Sequence, residues 1–283
     1  MPLQKKHRII VLGIDGLEYS LVEKWNLKYI KQKAYCKTDL SDFSVVVTPP
    51  IWGAMLTGRL DEKIIELFQK RINRREEWWW RFGKKLPKFI KILYWKFIYS
   101  KIDTNPFDVT KDYVIKNQNS TIFDFFERPW NNGIPSYGRN VQSKEVRRIT
   151  LESISNDANA LLQYAKKEFI EDKKALYEAL HKDYDLIFWY TPFLDRVGHR
   201  FFHKKLQMMM LYMEINNLVK DIKGIAKDAY LYIVSDHGMM LDQETKRGVH
   251  SNYGFFSSNT GELIKKPQDL YHLLKEKATK VIK

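Results

Sequence analysis

The chain opens with a run of aliphatic and β-branched residues that ends in an acid. Residues 8–14 read RIIVLGI, and Asp15-Gly16 follows directly. An apolar run of this length, without alternating polar positions, is typical of a strand buried on both faces, as in a parallel sheet covered by helices. Because parallel strands need long crossover connections, this feature restricts the chain to folds in which helices alternate with strands.

The remaining sequence shows this alternation on both sides of a central segment. Further strands are predicted over 43–47, 185–190, 230–235 and 253–257, and helices over 20–31, 52–56, 121–127, 150–180, 207–222 and 268–280. We therefore predict an α/β fold with a mostly parallel sheet. With 283 residues, 44% of them hydrophobic, the chain is long enough to bury a full core. We expect one domain over 1–283.

The segment 59–119 interrupts the alternation. Its pattern is helical, basic and aromatic, and it contains four of the eight tryptophans. Residues 59–105 hold 13 Lys and Arg against 6 Asp and Glu, a net charge of +7, which is half of the chain's +14. We predict that 59–119 forms a helical cap inserted into the domain.

The excess positive charge favours a polyanionic partner. Lysines and aromatic residues are mixed over 78–101, as in helices that lie on an anionic membrane surface. The same mixture could stack on nucleic-acid bases or cover a phosphorylated substrate. It is also compatible with a cap helix that packs on the core with its lysines in water.

Several classes of protein are excluded or disfavoured. A single cysteine, Cys36, excludes a disulfide framework and a cysteine-based zinc site. The apolar stretch near the N-terminus is too short for a signal-peptide core, and no run of about 18 apolar residues is free of charge. The sequence therefore predicts a cytoplasmic location.

Potential metal ligands gather where the predicted strands end. They are three acids and three histidines, joined by one hydroxyl: Asp15, Asp195, His199, Asp236, His237, His250 and Thr48. Each has an ordinary alternative role, as a turn residue, a surface pair or a cap. Together they lie where α/β folds bind ligands, beyond the carboxyl ends of the strands. Oxygen and nitrogen ligands without thiolates suit zinc or manganese.

Four motifs of this chain resemble the alkaline phosphatase superfamily, and most closely its type I phosphodiesterase/nucleotide pyrophosphatase branch. They are GIDG (13–16), TPPIWGAMLTG (48–58), DRVGH (195–199) and SDHGM (235–239), and HSN (250–252) resembles a further one. The motifs occur in the order found in the family.

The resemblance implies a three-layer α/β/α fold and two metal ions bridged by the substrate phosphate. It assigns one ion to Asp195, His199 and His250, and the other to Asp15, Asp236 and His237, with Thr48 completing the second site. It also identifies Thr48 as the nucleophile. A metal-coordinated hydroxyl loses its proton more readily, so a threonine can attack phosphorus near neutral pH. The implied activity is phosphodiester or pyrophosphate hydrolysis through a phosphothreonine intermediate.

Other functions remain open at this stage. The sulfatases of the superfamily carry Cys/Ser-x-Pro-x-Arg, whereas this chain has Thr48 and Trp52 at the first and last of those positions, so a sulfatase is disfavoured. A phosphomonoesterase or phosphotransferase could use the same residues. A membrane-surface or nucleic-acid-binding protein with a structural metal site belongs to a different class. Trp52 and Tyr137 could line the substrate pocket, or could equally be core aromatic residues.

Overall fold

The protein is described by a computed structural model that covers residues 8–81, 112–139, 149 and 158–281. The predicted cap is thus only partly covered, since 82–111 and the side chains of 71 and 74–81 lie outside the described part. Its role as a cap, and the membrane or nucleic-acid contact of 78–101, stay predictions. Within the described part, no helix has the length and apolar character needed to span a membrane.

A six-stranded mixed sheet forms the centre of the molecule. Its strands, in spatial order, are β2 (Ala34–Asp39), β10 (Tyr253–Ser258), β7 (Tyr230–Ser235), β1 (Ile9–Ile14), β6 (Leu186–Thr191) and β3 (Pro129–Asn131). Five of these strands run in one direction, and β10 alone is antiparallel to its neighbours β7 and β2. The prediction of a mostly parallel sheet is confirmed.

Two short two-stranded sheets accompany the central one. The first pairs β4 (Ile134–Pro135) with β5 (Gly138–Arg139), and the second pairs β8 (Met239–Leu241) with β9 (Gly248–His250). The second is an antiparallel hairpin in which Met239 lies opposite His250. This hairpin carries one of the predicted metal ligands back to the edge of the central sheet.

Helices cover both faces of the sheet. They are α1 (Tyr19–Lys24), α2 (Lys28–Lys31), α3 (Thr48–Thr57), α4 (Glu62–Arg81), α5 (Tyr113–Lys116), α6 (Ala158–Leu180), α7 (Phe193–Phe201), α8 (Lys205–Ile225) and α9 (Asp269–Val281), with a 3₁₀ turn at Ile122–Phe125. Side chains of α1, α2, α6, α7 and α8 pack in one hydrophobic cluster, and those of α3, α4 and α9 pack in a second. The three-layer arrangement therefore follows from the two-sided burial of the sheet.

The central strand β1 shows why the opening sequence must be apolar throughout. All six of its residues are buried. Ile10 and Leu12 point into the first cluster, whereas Ile9 and Val11 point into the second. Because side chains alternate between the faces of a strand, a sheet that is covered on both faces has no position for an exposed polar residue here.

The predicted elements differ from the structure in several places, since β3 was not predicted and the helix predicted over 121–127 is the 3₁₀ turn Ile122–Phe125. The apolar run 43–47 was predicted as a strand, and this is wrong, because the run forms irregular loop. The strand β2 was not predicted at all. The helix predicted over 20–31 is divided into α1 and α2, with Asn26 between them in the left-handed region at φ 46°.

One ion pair at the C-terminal end of the chain links stability to pH. Although burial opposes its charge, hydrogen bonds from Lys277 and Thr260 lower the pKa of Glu262 from 4.5 to about 2. A carboxyl group whose pKa is lowered by folding contributes stability above its unfolded pKa and loses this contribution as the pH falls through its folded value.

We therefore expect Glu262→Gln to lower the free energy of unfolding at pH 7 by roughly 1–2 kcal/mol, allowing for partial solvent screening. The difference between the variant and the wild type should shrink between about pH 5 and pH 2. Urea unfolding at several pH values measures it. The exposed Glu244→Gln is the control, and an equal, pH-independent loss in both variants would contradict the assignment.

Candidate active site

The predicted ligands meet beyond the carboxyl ends of three adjacent strands. Asp15 follows β1, Asp236 and His237 follow β7, and Asp195 lies in the first turn of α7, which follows β6. The Asp195 backbone N–H donates to the Asp15 carbonyl oxygen at 3.1 Å, so the loops after β1 and β6 are directly joined. The structure thus brings together residues that lie up to 235 positions apart in sequence, from Asp15 to His250.

The first group of ligand atoms surrounds the buried His237. Its Nε2 atom lies 3.4 Å from Asp15 Oδ1 and 3.4 Å from Asp236 Oδ2. The Thr48 hydroxyl oxygen lies 3.4 Å from the same nitrogen. With metal–ligand distances of 2.0–2.1 Å, two ligands of a tetrahedral ion lie about 3.3 Å apart. The spacing of this group therefore fits a small divalent ion.

The second group surrounds Asp195. Its Oδ1 atom lies 3.2 Å from His199 Nε2 and 3.4 Å from His250 Nε2, and the two histidine nitrogens are 3.1 Å apart. Asp195 Oδ1 is also 4.0 Å from His237 Nε2. The two groups are consequently adjacent, and His237 and Asp195 stand where they meet.

Backbone carbonyls orient all three histidines in the same way. The Nδ1 atoms of His199, His237 and His250 lie 2.9, 3.0 and 2.9 Å from the carbonyl oxygens of Gly248, Gly238 and Val46. A carbonyl only accepts, so each contact places the ring proton on Nδ1 and leaves the Nε2 lone pair free. Metal-binding histidines are oriented by second contacts of this kind.

Several acid oxygens buried in the site have no hydrogen-bond partner among the described residues. They are both oxygens of Asp236 and the Oδ1 atoms of Asp15 and Asp195. Burial, and then the Asp195 carboxylate, raise the pKa of Asp15 to about 7. Burial and the Asp15 carboxylate raise the pKa of Asp236 well above its usual range. Unpartnered buried carboxylates are unfavourable, and bound cations would reverse this effect, so the donor set fits metal ions.

Thr48 stands at the start of helix α3, with only 8% of its surface exposed. The helix predicted over 52–56 is therefore longer in the structure and begins at Thr48. Helix N-termini usually offer free N–H groups to a phosphate, but the next two residues are Pro49 and Pro50, which have none. Among the first three residues of α3, only Thr48 can donate a backbone hydrogen bond to a bound phosphoryl group.

The two aromatic residues considered for the pocket occupy different environments. Trp52 has no exposed surface, and its ring packs edge-on against Phe188 and Tyr190. Its side chain therefore lies in the core beneath the site, in agreement with the alternative that Trp52 is a core aromatic residue. Tyr137 is half-buried and stacks on Phe123, with the ring centroids 4.8 Å apart. A contact between Tyr137 and substrate stays a prediction.

Glu18 is a buried acid that supports the site and that was not predicted from the sequence. Glu18 accepts hydrogen bonds from the Met239 backbone N–H at 2.8 Å and from the Tyr253 hydroxyl at 2.5 Å. It thereby joins the loop after β1 to the segments that carry His237 and His250. A glutamate four residues after a strand resembles an exposed loop residue, and nothing in its local sequence indicates burial.

The family model described as type I phosphodiesterase/nucleotide pyrophosphatase matches residues 9–273. Among curated protein sequences, none matches the chain.

Two similar solved structures are of murine ectonucleotide pyrophosphatase/phosphodiesterase 5. The first has a TM-score of 0.39 and 11% identity, and the alignment covers 84% of this chain and 59% of that chain. The second, an inactive variant of the murine protein in complex with AMP, has a TM-score of 0.39, 10% identity and the same coverages of 84% and 59%. The present chain thus spans about three fifths of the length of these neighbours.

Proposed function

Because the chain belongs to the type I phosphodiesterase/nucleotide pyrophosphatase family, a family of phosphoric ester hydrolases, we propose that it hydrolyses phosphodiester or pyrophosphate bonds with two divalent metal ions and Thr48. The observation that carries this proposal is the convergence of Thr48 with the two groups of unpartnered acids and oriented histidines. Six ligand residues and one hydroxyl are all present, so the site has the composition of a working centre rather than of a degenerate one.

The residues divide naturally between two ions. Asp195, His199 and His250 would hold one, and Asp15, Asp236 and His237 would hold the other, with the Thr48 hydroxyl beside the second. Nitrogen and carboxylate ligands suit zinc, and manganese is the second choice. When bound, the ions supply Lewis-acid stabilisation of the charge that develops on the phosphate oxygens.

The chain's own contribution is to place the nucleophile. Thr48 Oγ loses its proton and forms a bond to phosphorus, while the bond from phosphorus to the leaving oxygen breaks. The product is a phosphothreonine, which water then hydrolyses to release phosphate or a phosphate ester and to restore the hydroxyl. Because Thr48 lies at the rigid, proline-containing start of α3, its position is set before substrate binds.

The nucleophile and the two ions do not determine which leaving group the substrate carries. A phosphomonoesterase or phosphotransferase would use the same nucleophile and the same ions, and a comparison of mono- and diester substrates distinguishes these activities. The cytoplasmic location stays a prediction of the sequence.

Removal of metal provides the direct test. We expect dialysis against a chelator to abolish hydrolysis of bis(p-nitrophenyl) phosphate, and zinc or manganese to restore it. Elemental analysis of the restored protein should find about two ions per chain. Full activity in demonstrably metal-free protein would refute the proposal. Preferential hydrolysis of p-nitrophenyl phosphate would instead identify a phosphomonoesterase.

A further inference from the structure

We propose that Tyr190 is a positioning residue that holds Asp15 in its metal-binding orientation, and that Asn132 holds Tyr190 in turn. This inference rests on the proposed two-metal function and deepens it. Neither residue was identified from sequence, and neither belongs to the ligand set. One short hydrogen bond joins Tyr190 to Asp15, and further contacts fix its donor.

The hydrogen bond divides the two oxygens of one carboxylate. The Tyr190 hydroxyl donates to Asp15 Oδ2 at 2.6 Å, inside a fully buried environment. The other oxygen, Oδ1, has no hydrogen-bond partner and lies 3.4 Å from His237 Nε2. A carboxylate with one oxygen engaged in this way has only the other to offer to an ion. The contact therefore sets both the orientation of Asp15 and its use of a single oxygen.

Sheet register explains why the tyrosine can reach this carboxylate. Tyr190 on β6 lies opposite Gly13 on β1, and Asp15 follows two residues later on the same side of β1. The Tyr190 ring lies edge-on to Trp52, with the planes at 90° and the centroids 5.2 Å apart. The Arg139 guanidinium lies over the ring, 5.2 Å from its centroid. These contacts restrict the ring to one position.

Asn132 fixes the backbone of the same residue. Its Oδ1 accepts from the Tyr190 backbone N–H at 2.8 Å, and its Nδ2 donates to the Tyr190 carbonyl oxygen at 2.8 Å. Nδ2 also donates to Asp172 Oδ1 at 3.0 Å. The Asn132 side-chain amide thus makes hydrogen bonds to both the backbone N–H and the carbonyl oxygen of Tyr190. In the middle of a sheet, a neighbouring strand would make these hydrogen bonds. A chain of fixed contacts runs from Asp172 through Asn132 and Tyr190 to Asp15.

A phenol is chemically well suited to this role. It is a neutral donor at physiological pH, so it can orient a carboxylate without neutralising the charge that attracts the ion. A lysine at the same place would compete with the metal for that charge. Partners of metal ligands commonly change metal affinity by about 10–100-fold when they are removed.

The test compares Tyr190→Phe with the wild type by calorimetric titration of metal-free protein with Zn²⁺. The variant keeps the ring and therefore its packing. We expect one of the two ions to bind about 10–100-fold more weakly and the other to bind as in the wild type. With Co²⁺ in place of zinc, the visible absorption bands of the weakened site should shift, because the coordination of Asp15 changes.

Tyr232→Phe is the matched control. Tyr232 is also fully buried on a strand of the sheet, but its hydroxyl lies near Glu262 rather than near the ligands. We expect this variant to bind both ions with wild-type affinity. Asn132→Ala should weaken the same ion as Tyr190→Phe, and melting of the metal-free proteins establishes that each variant is folded.

The possible failures are distinguishable. Wild-type affinity for both ions in Tyr190→Phe, or an equal loss in Tyr232→Phe, overturns the positioning role while the two-metal proposal stands. A wild-type protein that binds neither zinc nor manganese overturns the proposed function itself.

Discussion

Thr48→Ala is expected to lower the turnover of a phosphodiester by roughly 10⁴–10⁶-fold, as removal of a catalytic nucleophile does in well-studied hydrolases. The reason is that no phosphothreonine can form without the Thr48 hydroxyl, while the six ligand residues remain in place. The measurement is kcat for bis(p-nitrophenyl) phosphate, together with metal content. The variant should retain about two ions per chain.

Thr48→Ser is the matched control for this experiment. It keeps the hydroxyl and removes only the methyl group, so turnover should remain within about two orders of magnitude of the wild type and far above that of Thr48→Ala. Brief incubation of the wild type with bis(p-nitrophenyl) phosphate, followed by acid quenching and mass spectrometry, should find a p-nitrophenyl phosphoryl group on the peptide that contains Thr48. Undiminished turnover by Thr48→Ala would exclude this residue as the nucleophile.

Gly16→Ala is expected to have the second large effect, on stability and on metal binding together. Gly16 has φ +73°, a left-handed conformation that L residues adopt at a cost of about 1–2 kcal/mol. A Cβ atom at this position would also lie 2.8 Å from the Cα atom of Asp195. Because the obstacle is backbone, it is not relieved by a change of rotamer, and such overpacking costs about 1–3 kcal/mol.

We therefore expect Gly16→Ala to lower the free energy of unfolding by roughly 2–5 kcal/mol, measured by urea denaturation. Zinc affinity should fall as well, because the clash pushes Asp195 away from Asp15. Gly224→Ala is the control, since no atom lies within 4 Å of its added Cβ. Gly224 lies in the last turn of α8, where this substitution should stabilise by at most about 0.5–1 kcal/mol. A Gly16→Ala protein as stable as the wild type would contradict the described backbone.

The fold was predictable from sequence wherever burial alone determines the structure. β7 begins and ends at the predicted residues, β1 begins one residue later than predicted, and β6 is shifted by one residue at both ends. The run 43–47 was mispredicted because Phe43 and Val45 are buried against the second cluster without pairing to a strand. An apolar run of this length indicates burial but not hydrogen bonding. β2 was missed because its partly polar sequence acquires its strand conformation from pairing with β10, which is distant in sequence.

The residues of the site also fall into a predictable and an unpredictable group. The acids and histidines were predictable because they follow strand ends, where the topology of an α/β sheet brings side chains together. The residues that orient them were not. Tyr190 resembles any aromatic residue of a buried strand, and Asn132 resembles an ordinary turn residue. Their roles depend on register across β1 and β6 and on a loop after β3, and local sequence contains neither.

The wide spacing of the ligands has a further consequence for a chain whose only cysteine is Cys36. An ion held by Asp15, Asp236 and His237 would cross-link positions 221 and 222 residues apart, and would do so without a covalent bond. A cross-link that closes so long a loop restricts the unfolded chain strongly. Since the ions bind the folded chain and not the unfolded one, their affinity adds to the free energy of unfolding. The two-metal site would then also stabilise the fold, because it would hold the N-terminal and C-terminal parts of the domain together.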